Sequence, residues 1–361
     1  MYASRTILSQ TRLANVEDLT GFLIQAGFLV QEGSGLYSYT AMGQLALERL
    51  EARLHAFARN AGAAQWQFSH LQQQAHWDKT GRDQDYGEEL MSVRLRSGLR
   101  CRLTATAEEQ VTAAVVDHLR GRHVDFHLYQ LSTKWRDEIR ARGGLLRGRE
   151  FRMFDAYHFA STEHDMHAAN TRMRDALVAF LKSLGCAVRV VSADCGEIGG
   201  LSSEELQVAT TLDDSGWLEV GHCFALGQRY TSAFNLTTQS GDHAWMSCQG
   251  LGTTRLLAVL LAARRAGLRL WGDDRFSVID DVVVAIGKDE ATRARAEALY
   301  RSLLAQGRLV MFDDRFTRAG QQLTSSEALG AHTRWVISDR LGEGCVEREV
   351  LSTSTKTIEG G

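Results

Sequence analysis

The sequence contains no proline. At an average usage near 5%, a chain of 361 residues would hold roughly 18. Independent draws at that frequency give none with odds on the order of one in ten million or less. No fold demands this. First turns of helices and loops both accept proline, and both are expected here. The absence therefore reflects selection or design on the composition itself.

Other absences narrow the class. The six cysteines form no CxxC pair and no tight cluster, so they read as reduced cytosolic thiols and a cytoplasmic location is expected. The longest apolar run, "LLAVLLAA" at Leu256–Ala263, is far too short to cross a membrane. The start, "MYASRTILSQTRLA", lacks a continuous apolar signal region. No basic excess is present: the formal net charge is -3 and the pI about 6.5. That argues against general binding to DNA or RNA and leaves only a local patch for such contact.

What is present is ordinary in bulk and unusual in one place. A hydrophobic fraction of 44% with 24% charged residues suits a soluble globular protein, and the length allows two domains. Within Lys134–Arg152, however, seven basic residues (Lys134, Arg136, Arg140, Arg142, Arg147, Arg149, Arg152) stand against three acidic ones (Asp137, Glu138, Glu150). Such a segment is suited to holding an anion.

Pattern places this segment on a hairpin. "HLYQLSTKWRDEI" and "REFRMFDAYHF" read as strands, with the Gly-rich "RARGGLLRG" as their loop. "SVRLRSGLRCRL" reads as a second hairpin turning at Ser97-Gly98, with Arg94, Arg96, Arg100 and Arg102 on one face. Helices are expected over Met42–Asn60, Glu108–Gly121 and Asp165–Leu184. The character changes near Trp271–Phe276. Beyond it come strand "VVVAIG", helix "DEATRARAEALYRSLLAQG", strand "RLVMFD", a short helix near Ser325–Leu329 and strand "TRWVISD", with parallel pairing expected. The expectation is an α+β chain: an antiparallel sheet flanked by helices over 1–271, then a small α/β domain over 276–361.

The wording "TKWRDEIRARGGLLRGREFRMFDAYHF" resembles motif 2 of class II aminoacyl-tRNA synthetases, and of the prolyl-tRNA synthetases in particular. "GSGLYSYTAMGQLALERLE" is similar to their dimer-forming motif 1, "TATAEEQVT" to their Thr-x-Glu loop, and "MSCQGLGTTR" to motif 3. "CGEIGGLSSEELQV" and "LEVGHCFALGQRYTSAF" are similar to their pocket segments, and the last domain to their anticodon-binding domain. Where the family usually has proline, this chain has Ala41, Ala105, Ala141 and Ala319. A pocket histidine of the family falls at Glu204, and a lysine that faces the anticodon falls at Gln322. Between Val208 and Trp217 there is no room for the editing domain that many bacterial members insert.

The resemblance implies a homodimeric ligase that uses ATP and Mg2+ to activate proline, or a close analogue, and load it on tRNA(Pro). It assigns Arg136, Glu138 and Arg255 to catalysis. Arg136, Glu138, Arg147, Phe151 and Arg255 would hold ATP. Thr106, Glu108, Arg136, Tyr157, Ser203, Glu204 and His222 would hold the amino acid. Two anions must be brought together, which suits the planar, permanently charged guanidinium. A protonated secondary amine carries two N–H donors, which one carboxylate and one hydroxyl satisfy. Without that context an Arg-Asp-Glu triplet is usually a surface ion-pair ladder, and Thr106 before Glu108 an ordinary helix cap. His164 and His167 have helical spacing but no third partner, so no metal held by the chain's own side chains is expected. Two other readings stay open: a paralogue that loads a biosynthetic carrier, and a non-catalytic regulatory binding protein. The absence of proline points to a backup or self-resistance enzyme, of use when the ordinary synthetase is inhibited by an antibiotic or an analogue.

Overall fold

The computed structural model describes residues 1–6, 18–119, 124–265, 276–287, 289–315, 318–341, 344–351 and 355–360. The chain divides into two compact units. One comprises Met1–Gly33, Tyr37–Arg49 and Ala258–Gly361, the other Ser34–Leu36 and Leu50–Leu257. The boundary expected between residues 271 and 276 falls outside the described residues.

The first unit holds α1 (Leu19–Gln25), β1 (Leu29–Gly33) and the start of α2 (Ala41–Asn60). Thr40 caps α2 by accepting the Gly43 amide on its hydroxyl at 3.2 Å. Short strand β2 (Leu36–Tyr39) pairs with β1, and the two form the turn into α2.

In the second unit a seven-stranded sheet carries the architecture. It is built from β3 (Ala64–Gln65), β7 (Phe126–Trp135), β8 (Glu150–Ala160), β9 (Val188–Ala193), β10 (Ser202–Ala209), β11 (Trp217–Gly227) and β12 (Trp245–Gly252). Their order in space is β3-β7-β8-β12-β11-β10-β9. Every pair is antiparallel except β3 with β7. A smaller sheet, β4 (Leu71–Gln73), β6 (Arg100–Leu103) and β5 (Ser92–Arg94), lies in the same unit.

Helices cover both faces of the large sheet. α5 (Glu108–Leu119) and the short α7 (Arg229–Ala233) share a core with it, in which Val111, Val115, Leu128, Tyr157, Tyr230 and Met246 are buried. On β8, β11 and β12 lies α6 (Glu163–Ser183). Its sequence explains it. Thr162 caps the first turn by accepting from the Asp165 amide, acids occupy that turn, and Lys182 sits in the last. Met166, Met173, Leu177, Phe180 and Leu181 recur at helical spacing and are buried. Gly185 then takes φ +89°, which terminates the helix. Two short helices, α3 (Gln74–Thr80) and α4 (Arg82–Tyr86), meet at Gly81, whose φ is +75°.

One expectation needs adjustment here. The arginine stripe of the second hairpin is not wholly free: Arg102 donates twice to Asp83, at 2.7 Å each. The β10–β11 connection is short, as the sequence predicts. The strands pair as far as Ala209 opposite Trp217, and the Thr210 amide donates to the Gly216 carbonyl at 3.0 Å. No inserted domain interrupts it.

After α8 (Thr253–Arg265), the last part of the chain forms a five-stranded sheet. β13 (Ile279–Ile286) pairs in parallel with β14 (Val310–Asp313) and β15 (Ala331–Ser338), as the strand-helix alternation predicts. α9 (Glu290–Ala305) is capped by Asp289, and its Tyr300 and Leu303 pack with Val283, Phe312 and Ile337. α10 (Ala319–Ala328) starts six residues earlier than the expected Ser325. A hairpin of β16 (Cys345–Val350) and β17 (Thr355–Gly360) adds two antiparallel strands beyond β15, with β17 at the edge, absent from the sequence reading. Charge conceals them: Glu347, Arg348, Glu349 and Lys356 lie along strands that have little apolar alternation.

Candidate active site

A cavity of about 440 Å³ opens on the large sheet, lined by strands β7, β8, β11 and β12 and by the loops around Thr106, Leu146 and Gly196. All six cysteines of the chain are free, and Cys195 and Cys248 reach its wall.

One group of lining residues is built to meet a cation. The loop between β6 and α5 brings Thr106 and Glu108 together, and the Thr106 hydroxyl donates to the Glu108 carboxylate. Burial pushes the Glu108 carboxyl up. Arg82 and the Thr106 hydroxyl outweigh that effect and hold it below the usual carboxylate range. The Cys248 thiol stands 3.6 Å from the other Glu108 oxygen. Burial, with Glu108 beside it, raises that thiol well above its ordinary value, so it remains protonated and inert. Tyr157 lies alongside and donates to Asp155 Oδ2 at 2.7 Å. Lys134 and Gln130 donate to the same oxygen, at 3.0 and 2.8 Å.

A second group is built to meet anions. β7 and β8 pair up to Trp135 opposite Glu150, which sets the arginine-rich loop between them. Arg136 leaves β7 with its Nε and Nη2 donating to the Ala105 carbonyl at 3.3 Å, and its guanidinium lies 5.3 Å from the Phe151 ring centre. Arg147 reaches across the loop to Glu138, at 2.6 Å. Burial would raise the Glu138 carboxyl, but Arg147 and the Arg140 amide hold it below the usual range. Arg255, in the first turn of α8, donates through Nε to the Leu146 carbonyl at 3.0 Å and through Nη1 to the Glu219 carbonyl at 3.0 Å. The cavity thus gathers Arg136 and Arg147 from the two ends of the β7–β8 loop and Arg255 from α8.

Thr106, Glu108, Arg136, Glu138, Arg147, Phe151, Tyr157, His222 and Arg255 all line this one cavity. Ser203 and Glu204 do not. Ser203 is buried with its hydroxyl donating to the carbonyls of Ala193 and Asp194, at 2.9 and 3.0 Å. Glu204 points to α6, where Arg174 Nη1 donates to both of its oxygens, at 3.1 and 2.9 Å. Strand alternation is the reason: the neighbouring Glu205, opposite His222 on β11, faces the other way. Gln322 is buried in α10, and its amide nitrogen donates to the Asp313 carbonyl at 3.4 Å.

The sequence reading assigned no role to Lys134, Asp155, Arg82, Glu205 or Glu219. Lys134 and Asp155 form a buried ion pair in the cavity floor; Lys134 was in view only as part of the basic excess. Arg82 stands behind Glu108. Glu205, Glu219 and His222 place one ligand atom each within 4.8 Å of one another. Burial works to raise the Glu219 carboxyl, but His222 and Arg255 keep it below its usual range. Two carboxylates fit a hard cation such as Mg2+, whereas the imidazole does not.

Residues 93–264 match the family "tRNA synthetase class II core domain (G, H, P, S and T)". The proline–tRNA ligase of Sulfurimonas denitrificans is 29% identical over 389 aligned residues, covering 90% of this chain and 88% of that relative. A solved structure of Giardia lamblia prolyl-tRNA synthetase in complex with prolyl-adenylate superposes with a TM-score of 0.80 at 17% identity, covering 98% of this chain and 75% of the other. Another, of Cryptosporidium parvum prolyl-tRNA synthetase with L-proline and AMP, gives a TM-score of 0.76 at 15% identity, covering 95% and 72%. Residues 93–264 thus carry a class II aminoacyl-tRNA synthetase core, and the relatives of similar length are ligases. Within that class the chain is similar to prolyl-tRNA synthetases, and it differs from many of them in having no proline and no domain inserted between β10 and β11.

Proposed function

We propose that this chain activates proline with ATP and transfers the prolyl group to tRNA(Pro). The observation that carries this reading is the single cavity in which Thr106 and Glu108 stand beside Arg136, Arg147 and Arg255. Glu108 and the Thr106 hydroxyl receive the two N–H donors of the proline ammonium. Arg136 clamps the amino-acid carboxylate and the α-phosphate. A carboxylate oxygen attacks the α-phosphorus, a P–O bond forms, and the bond to the bridging oxygen breaks as pyrophosphate leaves. Arg147 and Arg255 stabilise the charge on the β- and γ-phosphates, and Phe151 stacks on adenine. Glu138 positions the adenine amino group. Glu219 and Glu205 are the carboxylates suited to Mg2+, which supplies charge neutralisation of the phosphates when bound. Glu108→Ala tests the amine site. It should raise the proline KM at least tenfold with the ATP KM unchanged; an unchanged proline KM contradicts the assignment.

The absence of proline supports a narrower role, as a backup or self-resistance enzyme in the cytoplasm. A message without proline codons is translated when charged prolyl-tRNA is scarce, and it offers no position where an analogue can enter. Expression in cells whose own prolyl-tRNA synthetase is blocked tests this. Synthesis should continue while a version with several prolines restored stalls; equal synthesis contradicts it. A homodimer through α2 is part of the same proposal.

One observation favours a second reading. Gln322, where the family has an anticodon-facing lysine, is buried. A paralogue that loads a different acceptor would have no need of that contact. Charging of tRNA(Pro) separates the two: formation of prolyl-tRNA supports the first, and adenylate formation without it the second.

A further inference from the structure

Among the described residues, Arg82 is the largest charged side chain to be fully buried. Its Nη1 donates to both Glu109 oxygens at 2.9 Å and to Glu108 Oε2 at 3.3 Å. Its Nε donates at 2.9 Å to the carbonyl of Glu197, a residue of the cavity wall. The guanidinium carbon lies 5.2 Å from the ring centres of Trp77 and Tyr86 and 5.4 Å from that of Tyr230. Nη2 has no hydrogen-bond partner. Glu108 and Glu109 are themselves 3% and 0% exposed.

The charges here do not cancel. Two buried carboxylates face one guanidinium, which leaves one negative charge. Of the nearby cations, Lys134 is paired with Asp155 at 3.0 Å, and Arg136 donates to the Ala105 carbonyl rather than to either carboxylate. Burial opposes the Arg82 charge, and the neighbouring Tyr230, Glu109 and Glu108 more than offset it. Burial raises the Glu109 carboxyl despite the opposing influence of Arg82, while Glu108 is held low. An uncompensated buried charge is costly unless a counter-ion arrives. A substrate amine in its protonated form is such a counter-ion.

We infer that Arg82 and Glu109 are positioning residues for Glu108. Together they fix its carboxylate and leave the buried group one positive charge short, so that the pocket takes an amino acid whose amine is protonated. This rests on the reading of Glu108 as the amine receptor. A purely structural Arg82 would instead hold the loop between α3 and α4 against the wall, and any loss from removing it would add to the loss from removing Glu109.

Charge restoration separates the two. Amino-acid-dependent pyrophosphate exchange is measured for Arg82→Met, Glu109→Gln and the double variant, with separate KM values for proline and ATP and thermal unfolding of each protein. Glu109→Gln neutralises the group before substrate arrives and should raise the proline KM at least tenfold, with the ATP KM within twofold. Arg82→Met leaves two unpaired carboxylates and should be at least as poor. The double variant restores a single negative charge and should recover proline use at least threefold over Arg82→Met. A double variant as poor as the two losses multiplied, or an unchanged proline KM in Glu109→Gln, overturns the inference. Where Arg82→Met does not fold, Glu109→Gln decides alone. An unaltered chain that exchanges with a different amino acid counts against the proline reading, and the variants are then read with that amino acid. Exchange with none overturns both.

Discussion

Arg255 donates through Nη1 to the backbone oxygen of Glu219 at 3.0 Å and stands 3.4 Å from the carboxylate of the same residue. A helix and a strand are thereby joined at the cavity wall, and a cation is fixed beside the Leu146–Arg147 loop. Replacement by alanine removes a charge-assisted contact to a triphosphate. Arg255→Ala and Arg136→Ala should each lower adenylate formation more than a hundredfold while the protein still folds. Single-turnover adenylate formation, followed alongside thermal unfolding, checks this.

Alanine should be activated in error. A pocket shaped for proline cannot exclude a smaller side chain, and the lost apolar contacts discriminate by only about 1–3 kcal/mol. The β10–β11 turn closes directly at Ala209 and Trp217, so no inserted domain stands there to hydrolyse the product. Alanyl-tRNA made by this protein should therefore persist. Its rapid hydrolysis by this chain alone would contradict the expectation.

Stability should fall in mild acid through His127. Burial, with His158 and Arg172 nearby, lowers its imidazole to about 4, and Nε2 has no hydrogen-bond partner. The unfolded chain protonates this group near 6.5 while the folded chain resists until about 4. As pH falls between those values the unfolded state binds more protons, and stability is lost by up to about 3 kcal/mol. In His127→Phe the urea midpoint should drop less between pH 7 and pH 5 than in the unaltered chain. Equal drops would remove His127 as the cause.

Proline should be tolerated at Ala319. This alanine opens α10, where a proline amide would not be missed, and the preceding Arg318 has φ -63° and ψ 138°, the conformation proline favours before it. Ala319→Pro should leave the melting temperature unchanged or raise stability by about 0.4–1 kcal/mol. A fall of several degrees would mean that the fold itself excludes proline. Ala41, the first residue of α2, is the matching site in the other helix.

How much of this was readable in the sequence depended on distance along the chain. The β7–β8 hairpin and its arginines were legible because all of them lie within one local unit. Glu108 and Thr106 were legible for the same reason. Arg82 was not, since its partners lie 26 and 27 residues away and nothing local marks an arginine for burial. Glu204 differs from its expected place by one residue: the pleat of β10 sends it to Arg174 and sends Glu205 toward Glu219 and His222, and register is set by the neighbouring strand. The β16–β17 hairpin was hidden because its charged residues pair with one another, as Lys356 does with Glu347 at 3.0 Å, rather than burying a face.

The most direct measurement is amino-acid-dependent exchange of labelled pyrophosphate into ATP by the full chain, across a panel of amino acids and proline analogues. The account predicts strong exchange with proline or a close cyclic analogue, weak exchange with alanine, and loss of both in Arg136→Ala. Exchange with no amino acid, or exchange led by one without a secondary amine, would contradict it.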